Sequence, residues 1–304
     1  MNALIVGNGQ VGRALAQLSS SLGDNTSFFT SKDDRSQFVA RAQEHDLVYL
    51  ATRSDTGEIA LGYALDALSI GKPVVTCEKG SGAYHYDKLK PHLNSIGCTA
   101  SVGGASGALS LFLFPHLGLK KITGVFNGTL NFLFSECAKG RDPYEVLAEA
   151  QQLGLCEPGN NSLADVVNGE LQDLTFKTAI VANHAGMLDK VIRANEFGNL
   201  FVSENEVLRQ LAHRSLRFVV SIGTEPDPAM ADSLYNCFHI RKDSWHIEIG
   251  LAHMSLLPFH PFPQGPQNSM VIEDWAGSTQ IWGIGAGPKP TAATMIGDAR
   301  LLVA

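Results

Sequence analysis

Ala3-Leu4-Ile5-Val6-Gly7-Asn8-Gly9-Gln10-Val11-Gly12 lies at the start of the chain. Four consecutive apolar residues stopped by a glycine read as a short strand buried on both faces. Past the turn, Val11, Leu15 and Leu18 recur at helical spacing over residues 10–21. Strand, Gly-x-Gly-x-x-Gly and helix in that order are the context in which such a turn seats the pyrophosphate of a dinucleotide. Gly7 permits the tight turn, Gly9 lets the backbone approach the phosphates, and Gly12 allows close helix–strand packing. The N–H groups at the helix start, Gln10 and Val11, are turned to the anion.

Working outward, residues 27–30, 47–51, 73–76 and 98–102 read as further strands, with helical patterns between them. That alternation predicts a Rossmann-type doubly wound parallel α/β sheet. The pattern changes after about residue 120. A strand over 121–126 precedes helices over 129–138, 143–152 and 163–187. Asp142 and Pro143 give the second of these a cap and a first residue. Strands at 216–224, 233–240, 244–251, 269–273 and 279–282 follow with no helices between, which predicts an antiparallel sheet in a second, α+β substrate-binding and dimerisation domain. The expected boundaries are 1–125 for the dinucleotide domain and 126–284 for the second. Residues 285–304, with a helix over 290–302, are expected to return to the first.

The stretch that ends the second strand tests the cofactor. An acid there would hold a ribose 2′-hydroxyl. Here the residues are Thr30-Ser31-Lys32, and Lys32 or Arg35 could meet a 2′-phosphate, so NADP is expected over NAD. Thr52, just past the third strand, joins the residues expected to face the cofactor.

At 304 residues, 44% hydrophobic and 17% charged, the chain is long enough to bury a core of about two domains. A net charge of −7 and the absence of a basic stripe argue against a nucleic-acid partner. Five cysteines, with no CxxC pair, fit reduced thiols rather than zinc or a disulfide framework. No basic region precedes the first apolar run, and no run reaches the ~18 residues of a membrane span. A cytoplasmic enzyme with no membrane partner is the expectation.

Three features beyond the turn carry candidate chemistry. Lys79 follows the fourth strand, at the edge where such sheets meet their ligands; it is either catalytic or an ordinary surface lysine. Asp173 and Lys177 are four apart and share a helix face. They are either a solvated ion pair or, given Leu174, Phe176, Ala179 and Ile180 around them, a pair turned inward. Glu157 stands in the loop Cys156-Glu157-Pro158-Gly159-Asn160-Asn161, as a solvated acid or as a ligand for a cationic substrate.

Taken together, several segments resemble the homoserine dehydrogenase family along nearly the whole chain, most weakly over about 190–255. They are the glycine turn; Asp55-Thr56-Gly57-Glu58 with Gly71-Lys72-Pro73 through Glu78-Lys79; Ala100-Ser101-Val102-Gly103-Gly104; Asn127-Gly128-Thr129-Leu130-Asn131; Glu157; the Asp173/Lys177 pair; and Gly285-Ala286-Gly287-Pro288. The resemblance implies interconversion of L-homoserine and L-aspartate 4-semialdehyde with NADP or NAD, in a homodimer. It implies that Lys79, Asp173 and Lys177 are catalytic, with the two lysines converging so that one has a lowered pKa. Glu157 would take the substrate ammonium. Asn127, Gly128 and Thr129 would line the substrate, and Gly285 the cofactor. Val102 and Gly104 match a loop whose carbonyls could hold a sodium ion, although Thr99 stands where many members carry an acid. The loop after Glu157 departs from the family pattern, being longer and lacking its Asp-Pro-Thr. That leaves two other readings open: a related dehydrogenase of another small amino-acid-like substrate, or a cofactor-binding homologue without turnover. Because the chain stops at Ala304, no C-terminal regulatory domain is expected.

Overall fold

The computed structural model describes residues 1–114, 116–156, 162–198, 200–231, 238–285 and 287–304. The first sheet contains β1 (Asn2–Val6), β2 (Asn25–Phe29), β3 (Leu47–Leu50), β4 (Val74–Thr76) and β5 (Ile96–Gly97) in the order β2-β1-β3-β4-β5, all parallel. Between them run α1 (Gln10–Ser21), α2 (Phe38–Gln43), α3 (Glu58–Ser69), α4 (Gly80–Tyr84) and α5 (Tyr86–Leu89). The period-2 alternation of β1 explains its unbroken apolar run. Leu4 and Val6 pack with Phe29, Phe38 and Leu61 on one face, while Ala3 and Ile5 pack with Leu15 and the C-terminal helix on the other.

Cys98-Thr99-Ala100-Ser101-Val102 is not the fifth strand. That strand is Ile96–Gly97, and residues 99–101 form a 3₁₀ turn. Asp298 is the cause: its carboxylate accepts from the Thr99 amide (2.9 Å) and the Thr99 hydroxyl (2.6 Å), drawing the chain out of the sheet.

The second sheet begins at β6 (Lys121–Val125). α6 (Gly128–Ala138), α7 (Pro143–Gln152), α8 (Leu163–His184) and α9 (Glu204–Ala212) follow, then β7 (Leu216–Gly223), α10 (Pro228–Ala231), β8 (Phe238–Lys242), β9 (Trp245–His253), β10 (Gln267–Asp274) and β11 (Gly277–Ile284). Its order is β11-β10-β6-β7-β9-β8, antiparallel at every pairing. The strand expected over 233–240 overlaps β8 at its end; residues 232–237 lie outside the described residues. Asp142 caps α7 through the amides of Tyr144 and Glu145. α8 gives Leu171, Leu174, Ala179 and Ile180 to the larger core, which also holds Ile122, Val220 and Ile249 of this sheet.

The last helix, α11 (Pro288–Leu302), returns to the first sheet, where Ala292, Met295 and Ala299 pack against Ala3, Ile5 and Leu15. Among the described residues, no helix is long and apolar enough to cross a membrane.

Candidate active site

The order β2-β1-β3-β4-β5 reverses direction between β1 and β3, the switch point beyond whose strand ends such sheets bind their ligands. The glycine turn occupies that point. Gly7 has φ +103°, and a Cβ on it would stand 2.5 Å from the Ala51 carbonyl oxygen at the end of β3. A Cβ on Gly12 would lie 2.1 Å from the Gly7 oxygen, so α1 is held against its strand only because neither residue has a side chain. Gly9 faces open space, with nothing within 4 Å of a Cβ placed on it, and it precedes the first residues of α1, Gln10 and Val11. Thr52 flanks the same point, and its buried hydroxyl has no partner among the described residues.

Beyond β2, Ser31 and Lys32 are exposed. Asp33 is turned back: its carboxylate accepts from the Thr30 amide (2.7 Å) and hydroxyl (2.9 Å). Arg35 pairs with Asp66 and stacks over Tyr63, 4.1 Å from the ring centre. That leaves Lys32 as the uncommitted cation of this stretch.

The catalytic candidates meet across the two sheets. Lys79 follows β4, where Glu78, buried, accepts from the amides of Gly80 (2.5 Å) and Ser81 (2.9 Å) and so fixes the start of α4. Ser54 accepts from the Lys79 amide at 3.0 Å. From α8, Asp173 takes Lys79 Nζ on one carboxylate oxygen (2.5 Å) and Lys177 Nζ on the other (2.6 Å). Lys177 Nζ also donates to the Phe126 carbonyl (2.9 Å), as does the Asn268 side-chain amide (2.9 Å). Gly285 leaves Asn268 room: a Cβ there would stand 2.2 Å from the Asn268 side chain.

Asp173 sits between the two lysines, and that decides the protonation of Lys79. Burial pulls the Lys79 pKa down, but the charge and hydrogen bond of Asp173 more than reverse it, so the ammonium is held above its ordinary range. Burial raises Asp173, the two lysines outweigh it, and the carboxylate stays well below its ordinary range.

The β6–α6 turn supplies a further arm. Asn127 caps α6 by accepting from the Leu130 amide (2.8 Å), and its own amide donates to Asp173 (3.1 Å) and to Glu170 (2.6 Å). Gly128 is the first residue of α6 and is buried. Thr129 is buried too, but its hydroxyl is spent on the Leu155 carbonyl (2.6 Å). It therefore ties down the base of the loop that carries Glu157 rather than presenting a donor to the crevice. Glu157 itself lies outside the described residues. Glu170 was not singled out from the sequence; residues 170, 173 and 177 fall on one helix face, and that spacing of three charges was the available signal.

Val102 and Gly104 belong to the loop whose carbonyls the resemblance assigns to a sodium ion. Val102 is buried, and the Gly104 carbonyl accepts from the Thr294 hydroxyl (3.0 Å). Asp298, the carboxylate near Thr99, is bound to Thr99 through both oxygens. Among the described residues, no group of histidine, cysteine and acidic side chains could hold a metal ion.

The family model for homoserine dehydrogenase matches residues 116–299. The chain belongs to the homoserine dehydrogenase family. The homoserine dehydrogenase of Bacillus subtilis (strain 168) is 30% identical over 251 residues, covering 78% of this chain and 52% of that relative. An NAD(+)-dependent homoserine dehydrogenase from Pseudomonas canavaninivorans is 31% identical over 60% of this chain and 50% of its own length. The chain thus spans about half the length of these relatives. Among solved structures, homoserine dehydrogenase from Thermoplasma acidophilum superposes with a TM-score of 0.71 at 18% identity, over 99% of this chain and 98% of that one. A hyperthermophilic archaeal homoserine dehydrogenase in complex with NADPH gives 0.67 at 18% identity, over 98% and 96%. At that identity the likeness is one of fold: this homoserine dehydrogenase family member shares the two-sheet architecture.

Proposed function

We propose that the protein interconverts L-homoserine and L-aspartate 4-semialdehyde with a nicotinamide dinucleotide. The observation that carries this reading is the meeting of Lys79, Asp173 and Lys177 beyond the β1–β3 switch point, within the chain that holds the glycine turn. Bound there, the dinucleotide would supply the hydride acceptor or donor. The protein's own residues handle the proton. Lys177 is tied to both Asp173 and the Phe126 carbonyl, and its side chain is only 9% exposed, against 25% for Lys79. Lys79 is therefore assigned the proton transfer and Lys177 the orientation of the substrate hydroxyl, with Asp173 holding both. Glu157 is assigned the substrate ammonium, Asn127 and Gly128 the wall of the substrate site, and Thr129 the fixing of the Glu157 loop.

The protonation state gives the reaction a direction. A lysine held as ammonium is ready to donate to the oxygen that becomes an alkoxide as the aldehyde is reduced. Oxidation of the alcohol needs the same lysine neutral, which Asp173 opposes. Semialdehyde reduction is then favoured near neutrality, and homoserine oxidation rises with pH.

We assign the cofactor as NADP before NAD, on Lys32 exposed beyond β2 and on Asp33 turned inward. Gly7, Gly9, Gln10, Val11, Gly12, Ser31, Thr52 and Gly285 complete its expected contacts. Residues 1–125 with 285–304 form the dinucleotide domain in this reading and residues 126–284 the second; β6, which belongs to the second sheet, closes the first segment. The second sheet carries the interface of a homodimer in this reading, because Trp282 and Ile284 of its edge strand β11 are exposed. A cytoplasmic location rests on the four described cysteines, all free.

The test is homoserine-dependent formation of reduced nicotinamide, followed by absorbance, with NADP+ and NAD+ in parallel. Turnover with a lower KM for NADP+ is expected. Tight cofactor binding with no turnover of homoserine would overturn the activity, and a lower KM for NAD+ would overturn the cofactor preference.

A further inference from the structure

Two ammonium groups converge on one carboxylate at Asp173, and one positive charge is left over. In a half-buried place that surplus is costly unless another anion stands close. Glu170 is that anion by position. It lies one helical turn before Asp173 on α8, so that residues 170, 173 and 177 share a face. Across from α8, the Asn127 amide of the β6–α6 turn bridges the two carboxylates, 2.6 Å from Glu170 and 3.1 Å from Asp173. The charged groups that act on Glu170 are Asp173 and Lys177 from its own helix and Lys79 from the β4–α4 loop; Cys156, at the base of the Glu157 loop, is the other titratable group that feels its charge.

We propose that Glu170 is a positioning residue of this centre: its carboxylate is the second counter-charge for the two lysines and holds the Asn127 amide against Asp173. Glu170 acts through Lys79 and Asn127, not on the reacting atoms. Burial and then the charge of Asp173 raise its carboxyl to about 7, against the pull of Asn127 and the two lysines. Its charge in turn strengthens the hold on the Lys79 proton. The carboxyl thus changes charge near neutrality, and with it the ease with which Lys79 gives up its proton.

Glu170→Gln separates charge from hydrogen bonding, since the amide oxygen still accepts from Asn127. Because an opposite charge a few ångströms away moves a pKa by about 1 to 3 units, the rise of homoserine oxidation with pH should shift acidward by about one unit in Glu170→Gln. Glu170→Ala, which also releases Asn127, should show that shift together with a fall in kcat. A Glu170→Gln profile that superimposes on the parent overturns the proposal. This kinetic arm rests on the homoserine reading, so a second arm needs no activity. In protein labelled with carbon-13 at the glutamate carboxyls, without substrate, one step near pH 7 should vanish in Glu170→Gln. The same step should move upward by about one unit in Lys79→Met, where a neighbouring cation is lost. A step unmoved by Lys79→Met overturns the coupling even if the parent proves inactive on homoserine.

Discussion

Asp173 holds Lys79 and Lys177 on its two oxygens, and removing Asp173 leaves both ammonium groups without their shared partner. Lys79→Ala should lower kcat by about a hundredfold or more, the usual worth of a positioned proton-transfer group, and Lys177→Ala should lower it too, by freeing the substrate hydroxyl. An unchanged kcat in steady-state assays would remove that lysine from the mechanism. The linked pH dependence of stability has opposite signs for the two acids of α8. Asp173 is depressed below its ordinary 3.8, so its contribution is complete above that pH and is lost as pH falls toward its folded value. Glu170 is raised from 4.5 to about 7, so the folded protein binds its proton more tightly and stability falls as pH rises across that window. Thermal melts should therefore show Glu170→Gln gaining on the parent between those values, while the parent loses its Asp173 advantage only in acid. A constant difference in Tm between Glu170→Gln and the parent across the window would contradict the assignment.

At the scale of the element, the β1–turn–α1 unit is where sequence and structure agree most closely. The α1 bounds follow the apolar spacing, and two of the three glycines are required by contacts. Gly12→Ala and Gly9→Ala should separate the roles. The first puts a methyl on the Gly7 oxygen and should destabilise the protein by about 1–3 kcal/mol in urea unfolding, weakening cofactor binding as well. The second meets no protein atom, so it should leave stability unchanged and weaken NADPH binding alone, as measured by fluorescence titration. Equal effects of the two on stability would sink that distinction. The parallel strands, α7 with its Asp142 cap and the returning helix α11 were likewise legible, because each is written in local periodicity or capping chemistry. The fifth strand was not. Cys98 to Val102 has the apolar, β-branched composition of a strand, and what turns it is Asp298, 199 residues away, reaching Thr99. The site was legible as a set of residues and not as an arrangement. The spacing of Asp173 and Lys177 put them on one face, but nothing local could tell that Lys79 comes to the same carboxylate, or that Asn127 would draw in Glu170. The Thr129 hydroxyl, expected to line the substrate, instead donates to the Leu155 carbonyl, a contact no local pattern announces.

At the scale of the whole molecule, the question is what covers the open edge of the second sheet. β11 is the last strand on its side, and its Trp282 and Ile284 are exposed, as are Leu113, Phe114 and Leu117 in the segment leading to β6 and Trp275 at the β10–β11 turn, which is 76% exposed. A lone exposed leucine needs no explanation, but Trp282 and Ile284, two apart and so on one face of an edge strand, mark a surface that a partner would cover. An edge strand also has one side with no strand paired to it among the described residues. A second copy of the chain is the occupant that fits both, since a twofold axis would set apolar patch on apolar patch. The two sheets meet at Lys79 and α8, so a dimer joined through β11 would rigidify the half of each crevice that comes from the second sheet without covering the glycine turn. Sedimentation should give a dimer for the parent and a monomer for the double variant Trp282→Glu/Ile284→Glu. The monomer should keep NADPH binding and lose kcat, because the turn at Gly7 to Gly12 lies on the other sheet. A parent that sediments as a monomer, or a double variant that still dimerises, would place the interface elsewhere.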